Sequence, residues 1–151
     1  MNETLIKQPL LIIEDSDEDF TALKRTIDKA KVTHPIYRCE DGEEAVDFLY
    51  HQGEYEDEAI SPRPALIVLD LNLPGTDGRE VLAMLKKDRD LQTIPVIIFS
   101  TSSNPKDIEA CYRNGVSGYI VKPMNSTQLQ DIVETFTQYW FEAVKLPFTY
   151  N

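Results

Sequence analysis

Three acidic residues of this chain come directly after short apolar runs. Glu14 and Asp15 follow residues 10–13, and Asp70 follows residues 65–69. Carboxylate oxygens without nearby histidine or cysteine suit a hard cation such as Mg²⁺, which binds few carboxylates and keeps several waters. We therefore predict that Asp15 and Asp70 bind Mg²⁺ directly and that Glu14 binds it through a water molecule. The alternative for Glu14 and Asp15 is an acidic first helical turn that complements the helix dipole.

A lysine and a hydroxyl group add the means to handle phosphate. Lys122 and Ser100 each follow a further apolar run. A metal ion and an ammonium group neutralise charge on phosphoryl oxygens during an in-line transfer, and a hydroxyl donates a hydrogen bond. Because carboxylates can form aspartyl-phosphates, Asp70 is the candidate nucleophile, and the backbone carbonyl of Asn72 is a candidate metal ligand. The alternatives are a solvated lysine and a polar loop, although Pro123 could fix the direction of Lys122 through a cis peptide bond.

The elements that must position these groups are five apolar runs that alternate with five helical patterns. Short apolar runs bounded by turn residues are typical of strands buried on both faces of a parallel sheet. Strands that alternate with helices predict an α/β fold, a doubly wound (βα)5 unit with a five-stranded parallel sheet in the order 2-1-3-4-5. In that order the carboxyl ends of the first and third strands flank the ligand site, which brings the candidate residues to one edge. The predicted strands are residues 10–13, 35–39, 65–69, 95–99 and 117–121.

Composition and charge restrict the class of function. The chain has 151 residues, enough for one domain with its own core. Its 26 acidic and 15 basic residues give a formal net charge of -11, which disfavours a protein that binds nucleic acid through its phosphates. Cys39 and Cys111 lie far apart without metal-ligand spacing, so the reducing cytoplasm is the expected location. The sequence has no signal-peptide pattern and no stretch that could span a bilayer, so no membrane partner is expected.

Taken together, these residues resemble the receiver domain of two-component response regulators. The resemblance covers residues 9–140 and is carried by Glu14-Asp15, residues 69–78 around Asp70, Ser100 and residues 119–123. It implies the flavodoxin-like receiver fold, with Asp70 accepting a phosphoryl group from a histidine kinase. It also implies that Asp15, Asp70 and the carbonyl of Asn72 hold Mg²⁺ and that Lys122 contacts the phosphoryl group. The protein would then be a signalling receiver that supports its own phosphorylation and dephosphorylation, and not an enzyme.

The resemblance also assigns a conformational switch to Ser100 and Tyr119. In the family, a phosphoryl oxygen draws the hydroxyl inward and the aromatic ring turns into the vacated space. The face formed by the fourth helix, the fifth strand and the fifth helix is thereby remodelled. Ser100 stands where threonine is more usual in the family. Glu14 stands where aspartate is more frequent, a difference that lengthens the side chain and leaves its charge unchanged. The alternative for Tyr119 is an ordinary strand aromatic.

Two segments depart from a minimal receiver. Residues 53–63 form an acidic insert that predicts an unpatterned surface loop before the third strand. Residues 141–151 form an aromatic C-terminal extension beyond Trp140, which fits the core stripe of the last helix. The aromatic residues expected outside the core are Tyr139, Phe141, Phe148 and Tyr150. They favour a homodimer through the face of the fourth helix, fifth strand and fifth helix together with the extension, the alternative being a tail folded back on its own domain.

The whole chain, residues 1–151, is expected to be a single receiver domain without an output domain. Its output would then be a protein partner, a phosphorelay step or self-association. The acidic insert and the aromatic extension resemble features of the small receivers that are paired with cyanobacterial phytochrome histidine kinases. This resemblance implies a light-regulated kinase as the upstream partner.

Two other functions on the same topology stay open. A phosphohydrolase with an aspartate nucleophile would place a second aspartate two residues later, where this chain has Asn72. A flavodoxin-like cofactor binder would need hydroxyls, glycines and backbone donors after the first strand, where residues 14–19 are acidic. Multiple turnovers of an external phosphate ester would favour the first function, and a colourless protein would count against the second.

Overall fold

The computed structural model describes residues 8–147. The strands are β1 (Leu10–Ile13), β2 (Ile36–Cys39), β3 (Leu66–Leu69), β4 (Val96–Ser100) and β5 (Gly118–Val121). The helices are α1 (Asp17–Lys29), α2 (Gly42–Tyr50), α3 (Gly78–Lys87), α4 (Pro105–Arg113) and α5 (Ser126–Thr137). All strand pairs are parallel, and the sheet has the order β2-β1-β3-β4-β5. The predicted α/β class, the (βα)5 unit and its strand order are confirmed.

The three middle strands form the rigid part of the fold. Every residue of β1, β3 and β4 is buried, as expected of strands covered by helices on both faces. Alternate side chains of these strands pack with α2, α3 and α4 on one face and with α1 and α5 on the other. Leu69 lies opposite both Ile13 and Ile98 in the strand register. The residues that follow these strands therefore emerge side by side at one edge of the sheet.

Each helix begins after a polar side chain that accepts a hydrogen bond from a backbone N–H of the first turn. This arrangement satisfies one of the free donors at a helix start and fixes where each loop ends. The capping residues are Ser16, Asp41, Asp77, Asn104 and Asn125. In the described part of the chain, no helix is both long enough and apolar enough to cross a bilayer.

The acidic insert, residues 53–63, is more ordered than the sequence predicted. Residues Gly53–Tyr55 form a 3-10 turn, and the ring of Tyr55 packs edge-on against Phe48 with 5.2 Å between centroids. The Tyr55 hydroxyl donates to a carboxylate oxygen of Glu44 at 2.8 Å. The Ser61 hydroxyl is fully buried and lies 3.0 Å from the carbonyl oxygen of Tyr55. One aromatic anchor and one buried hydroxyl thus fix a segment whose other side chains are mostly exposed.

The chain after α5 continues as a π-helical segment, Gln138–Ala143. Trp140 packs against the core as predicted, but Phe141 does so as well, which corrects its expected place outside the core. Phe141 contacts Phe136, five residues earlier, with 6.2 Å between ring centroids, because a wider turn aligns residues five apart. Tyr139 is 55% exposed, in agreement with the prediction. Phe148 and Tyr150 lie outside the described residues.

Candidate functional site

Glu14, Asp15 and Asp70 meet where β1 and β3 end. Each offers a carboxylate oxygen, and the three oxygens lie within 4.8 Å of one another. Glu14 and Asp70 are buried, whereas Asp15 is exposed. The N–H of Asp70 donates to the carbonyl of Ile13 at 3.0 Å, so strand pairing continues up to the acids and fixes their spacing. The predicted acidic cluster is therefore formed, and its all-oxygen donor set fits a hard divalent cation.

Lys122 joins this cluster from the end of β5. Its ammonium nitrogen lies 2.7 Å from Glu14 Oε1, 2.9 Å from Asp70 Oδ2 and 2.8 Å from Asp19 Oδ2. The backbone N–H of Lys122 donates to the carbonyl of Ser100 at 2.8 Å, so the pairing of β4 with β5 extends to the backbone of the lysine. The peptide bond before Pro123 is trans, so the cis bond considered from the sequence is absent. The three carboxylates, and not a cis bond, fix the direction of the lysine.

The ion pairs at Lys122 alter the acidity of both partners. Burial raises the pKa of the Glu14 carboxyl above its ordinary value, the hydrogen bond from Lys122 opposes this, and the charge of Asp70 adds to it. Burial alone would lower the pKa of Lys122, but its hydrogen bonds to Asp19, Glu14 and Asp70 outweigh burial and hold the pKa above the ordinary value. These contacts favour the charged form of Lys122, and the acids around it outnumber its one positive charge. The cluster can accept further positive charge.

The two oxygens of Asp70 are held by different donors. Lys122 donates to Oδ2 at 2.9 Å, and the backbone N–H of Asn72 donates to Oδ1 at 3.1 Å. Both donors polarise the carboxylate and fix its plane at the edge of the sheet. Asn72 itself is exposed. Its carbonyl stays a predicted metal ligand.

The loop that carries Asn72 is held against the start of α2. The N–H and the hydroxyl of Thr76 donate to one Glu43 carboxylate oxygen at 2.9 and 2.8 Å. Gly75 has a φ of +69°, in the left-handed region that favours glycine, and a Cβ there would overlap the Glu43 carboxylate. These contacts fix the loop between Asp70 and α3, and nothing in the sequence pattern indicated Glu43.

The loop after β1 depends on Arg38, a second residue that sequence reasoning missed. Its Nε donates to the carbonyl of Glu14 at 3.1 Å, and its Nη1 lies 2.8 Å from Asp17 Oδ1. The guanidinium carbon lies 4.6 Å from the centroid of the Phe20 ring, a favourable cation–π contact. One arginine of β2 therefore ties the backbone of Glu14 to the first turn of α1. A charged residue within an otherwise apolar strand was the available signal.

Ser100 and Tyr119, the predicted switch pair, lie on the neighbouring strands β4 and β5. Ser100 is fully buried as the last residue of β4, and its hydroxyl accepts a hydrogen bond from the N–H of Ser102 at 3.3 Å. Tyr119 is half-buried, and its hydroxyl donates to the carbonyl of Ser102 at 2.8 Å. Ser102 thus connects the two predicted switch residues through its backbone.

The side chain of Ser102 continues this connection to α4 and α3. Its hydroxyl donates to Asp107 Oδ2 at 2.6 Å, and Asp107 Oδ1 lies 3.2 Å from Arg79 Nη2. Hydrogen bonds from Ser102 and then from Arg79 hold the pKa of Asp107 below its ordinary value. Arg79 also pairs at 3.2 Å with Asp77, the cap of α3. A series of hydrogen bonds and ion pairs therefore links the turn after β4 to the loop that follows Asp70.

Comparison with known proteins identifies the family of this site. A family model described as the response regulator receiver domain matches residues 10–134. The chain belongs to the response regulator receiver family. The receiver is 42% identical over 138 residues to response regulator Rcp1 of Synechocystis sp., covering 91% of this chain and 92% of Rcp1.

Two solved structures resemble this receiver closely. The Mn²⁺-bound form of Rcp1 superposes with a TM-score of 0.87 at 41% identity, covering 93% of this chain and 99% of that one. The phosphorylated cyanobacterial phytochrome response regulator RcpA superposes with a TM-score of 0.86 at 40% identity, covering 93% and 98%. The expected receiver fold and family are confirmed, and this receiver is a signalling protein. The roles assigned to its individual site residues stay predictions.

Replacing Lys122 by methionine is expected to lower the free energy of unfolding by about 3–5 kcal/mol in buffer without divalent ions. The loss arises because Glu14 and Asp70 would stay buried without their cation. Urea unfolding followed by circular dichroism measures it. The matched control is Lys24→Met, since Lys24 pairs with Asp28 at 2.8 Å on the exposed face of α1 and should cost about 0.5 kcal/mol or less. Equal losses in the two variants would contradict this account of the cluster.

Proposed function

We propose that this receiver accepts a phosphoryl group on Asp70 from a sensor histidine kinase, with Mg²⁺ bound by the acidic cluster. The observation that carries the proposal is the setting of Asp70. One of its oxygens contacts the ammonium of Lys122, the other accepts a backbone N–H, and two more acids lie within 4.8 Å. A buried carboxylate held in this way is a fixed nucleophile beside fixed positive charge.

In the proposed transfer, an oxygen of Asp70 attacks the phosphorus of a phosphohistidine. The new oxygen–phosphorus bond forms as the phosphorus–nitrogen bond breaks, and the electron pair of that bond returns to the imidazole. Lys122 already contacts Asp70 and donates to a phosphoryl oxygen, where negative charge is concentrated. The N–H of Asn72 holds the other Asp70 oxygen and keeps the carboxylate plane fixed.

The proposed metal ligands are the oxygens of Asp15 and Asp70, the carbonyl of Asn72, and Glu14 through a water molecule. Asp15 is the exposed member of the cluster, so an ion can reach it from solvent. When bound, a divalent ion supplies positive charge to the phosphoryl oxygens. The Mn²⁺-bound form of the similar Rcp1 supports a divalent ion in this family, and Mg²⁺ is proposed from the oxygen-only donor set.

The proposed switch uses Ser100 and Tyr119. The Ser100 hydroxyl would turn to donate to a phosphoryl oxygen, and this rotation would carry its oxygen away from the Ser102 N–H that it now accepts. Tyr119 would then leave the Ser102 carbonyl and turn inward. Because Ser102 also binds Asp107 of α4, both changes act on the face formed by α4, β5 and α5.

The upstream kinase is proposed to be a phytochrome kinase. The support is the similarity of this chain to a cyanobacterial phytochrome response regulator, RcpA, over 93% of its length. The cytoplasm, where such a kinase domain would meet it, fits the two buried free thiols, Cys39 and Cys111.

Acetyl phosphate with Mg²⁺ is expected to add one phosphoryl group to the wild-type protein and none to Asp70→Asn. The amide is too weak a nucleophile to form the acyl phosphate, although it fills the same space. Intact-protein and peptide mass spectrometry measure the extent and the site of modification. Asp90→Asn, an exposed acid before β4, is the matched control and should be modified as the wild type is. Modification of Asp70→Asn to the wild-type extent would contradict the assignment of the phosphoacceptor.

We propose further that the α4–β5–α5 face forms a homodimer. β5 is an edge strand, and exposed apolar side chains lie on it and around it. Tyr112 of α4 is 52% exposed, Val121 of β5 is 40% exposed and Tyr139 is 55% exposed. Large aromatic residues on a surface are the usual anchors of protein interfaces.

Tyr112→Glu is expected to weaken the homodimer by about tenfold or more, because it removes an aromatic anchor and places a charge there. Analytical ultracentrifugation of the protein with Mg²⁺ and beryllofluoride measures the dimer dissociation constant. Met84→Glu is the matched control, since Met84 is 39% exposed on α3, a helix that is not part of this face. The interface is misassigned if Met84→Glu weakens the dimer as much as Tyr112→Glu, or if the wild type is a monomer throughout.

A further inference from the structure

Asp19 of α1 is a third carboxylate on Lys122 that sequence reasoning did not identify. Its Oδ2 lies 2.8 Å from the ammonium nitrogen, as close as the oxygens of Glu14 and Asp70. The backbone N–H of Asp19 donates to the Ser16 hydroxyl, the cap of α1, so the residue is fixed by the start of that helix. Asp19 therefore lies in the first turn of α1, four residues after Asp15.

The ammonium of Lys122 already contacts three carboxylates. A lysine carries three N–H donors, and this one donates to Asp19 Oδ2 and Asp70 Oδ2 and forms an ion pair with Glu14 Oε1 at 2.7 Å. A phosphoryl group on Asp70 needs one of these donors for its own oxygens. Lys122 must therefore give up or share one of its present partners when the phosphoryl group arrives.

Exposure decides which partner is released most easily. The side chains of Glu14 and Asp70 are 3% and 6% exposed, whereas that of Asp19 is 43% exposed. Water can replace the lost hydrogen bond most readily at Asp19, because Asp19 is the most exposed of the three carboxylates, whereas a buried carboxylate left without a partner is strongly destabilising. The negative charge of Asp19 also opposes the approach of an anionic phosphoryl group to Lys122.

We propose that Asp19 is a positioning residue that holds Lys122 in the unphosphorylated receiver and competes with the phosphoryl group for it. Asp19 is released as the ammonium turns to the phosphoryl oxygens, and it recaptures the ammonium after dephosphorylation. The residue thus sets how tightly the site holds a phosphoryl group. This inference rests on the proposed role of Asp70.

The test measures the affinity for beryllofluoride, which takes the place of the phosphoryl group on Asp70, at saturating Mg²⁺. Asp19→Asn keeps the shape of the side chain but removes its charge, and it is expected to tighten beryllofluoride binding by about two- to fivefold, the strength of a half-exposed ion pair. Asp19→Glu restores the charge and should return the affinity towards the wild-type value. Asp19→Ser, a second neutral variant, should tighten binding as Asp19→Asn does. The titration is followed by the fluorescence of Trp140 or by chemical-shift changes in NMR spectra.

Asp28→Asn is the matched control, because it removes the same charge from the far end of α1 and should leave the affinity unchanged. Thermal unfolding without beryllofluoride distinguishes a merely structural role of Asp19 from competition for Lys122. A structural role would shift the unfolding temperature without tightening beryllofluoride binding. Unchanged or weaker binding in both neutral variants, while the wild type binds, would overturn the role of Asp19 alone. A wild-type protein that does not bind beryllofluoride would overturn the proposed function of Asp70 and this inference with it.

Discussion

The ion pairs between Lys122 and the acids at the ends of β1 and β3 are the interaction on which the site depends. Glu14 and Asp70 are 2% and 5% exposed, and carboxylates at this depth are stable only beside a cation. The cation arrives from β5, two strands away from β3, because the order of the sheet places all these strand ends at one edge. The fold thus brings together charges that are distant in the sequence.

Much of this arrangement could be predicted from the sequence because its causes are local. Short apolar runs predicted the strands, and the position of Asp70 after a buried run predicted its place at the edge of the sheet. The strand order followed from the connections. The acids then had to meet Lys122, since parallel strands end together.

The residues that sequence reasoning missed make contacts across long sequence separations or depend on the number of residues per helical turn. Asp19 meets Lys122 across 103 positions of sequence, and only the direction in which α1 leaves β1 brings them together. Phe141 reaches the core because the chain after Thr137 turns as a π-helix, which the spacing expected of an α-helix did not predict. Tyr55 fixes the acidic insert by one ring contact, a feature with no periodic pattern.

The acids at this edge are proposed to hold a divalent cation in addition to Lys122. The most direct measurement is a Mn²⁺ titration followed by electron paramagnetic resonance, with Mg²⁺ as competitor. We expect one Mn²⁺ site from which Mg²⁺ displaces Mn²⁺. Asp15→Asn should lose this site, and Glu18→Gln, a change at an exposed acid of the same helix start, should retain it. A wild-type protein without such a site, or an Asp15→Asn variant that binds Mn²⁺ as the wild type does, would show that these acids do not hold a divalent cation.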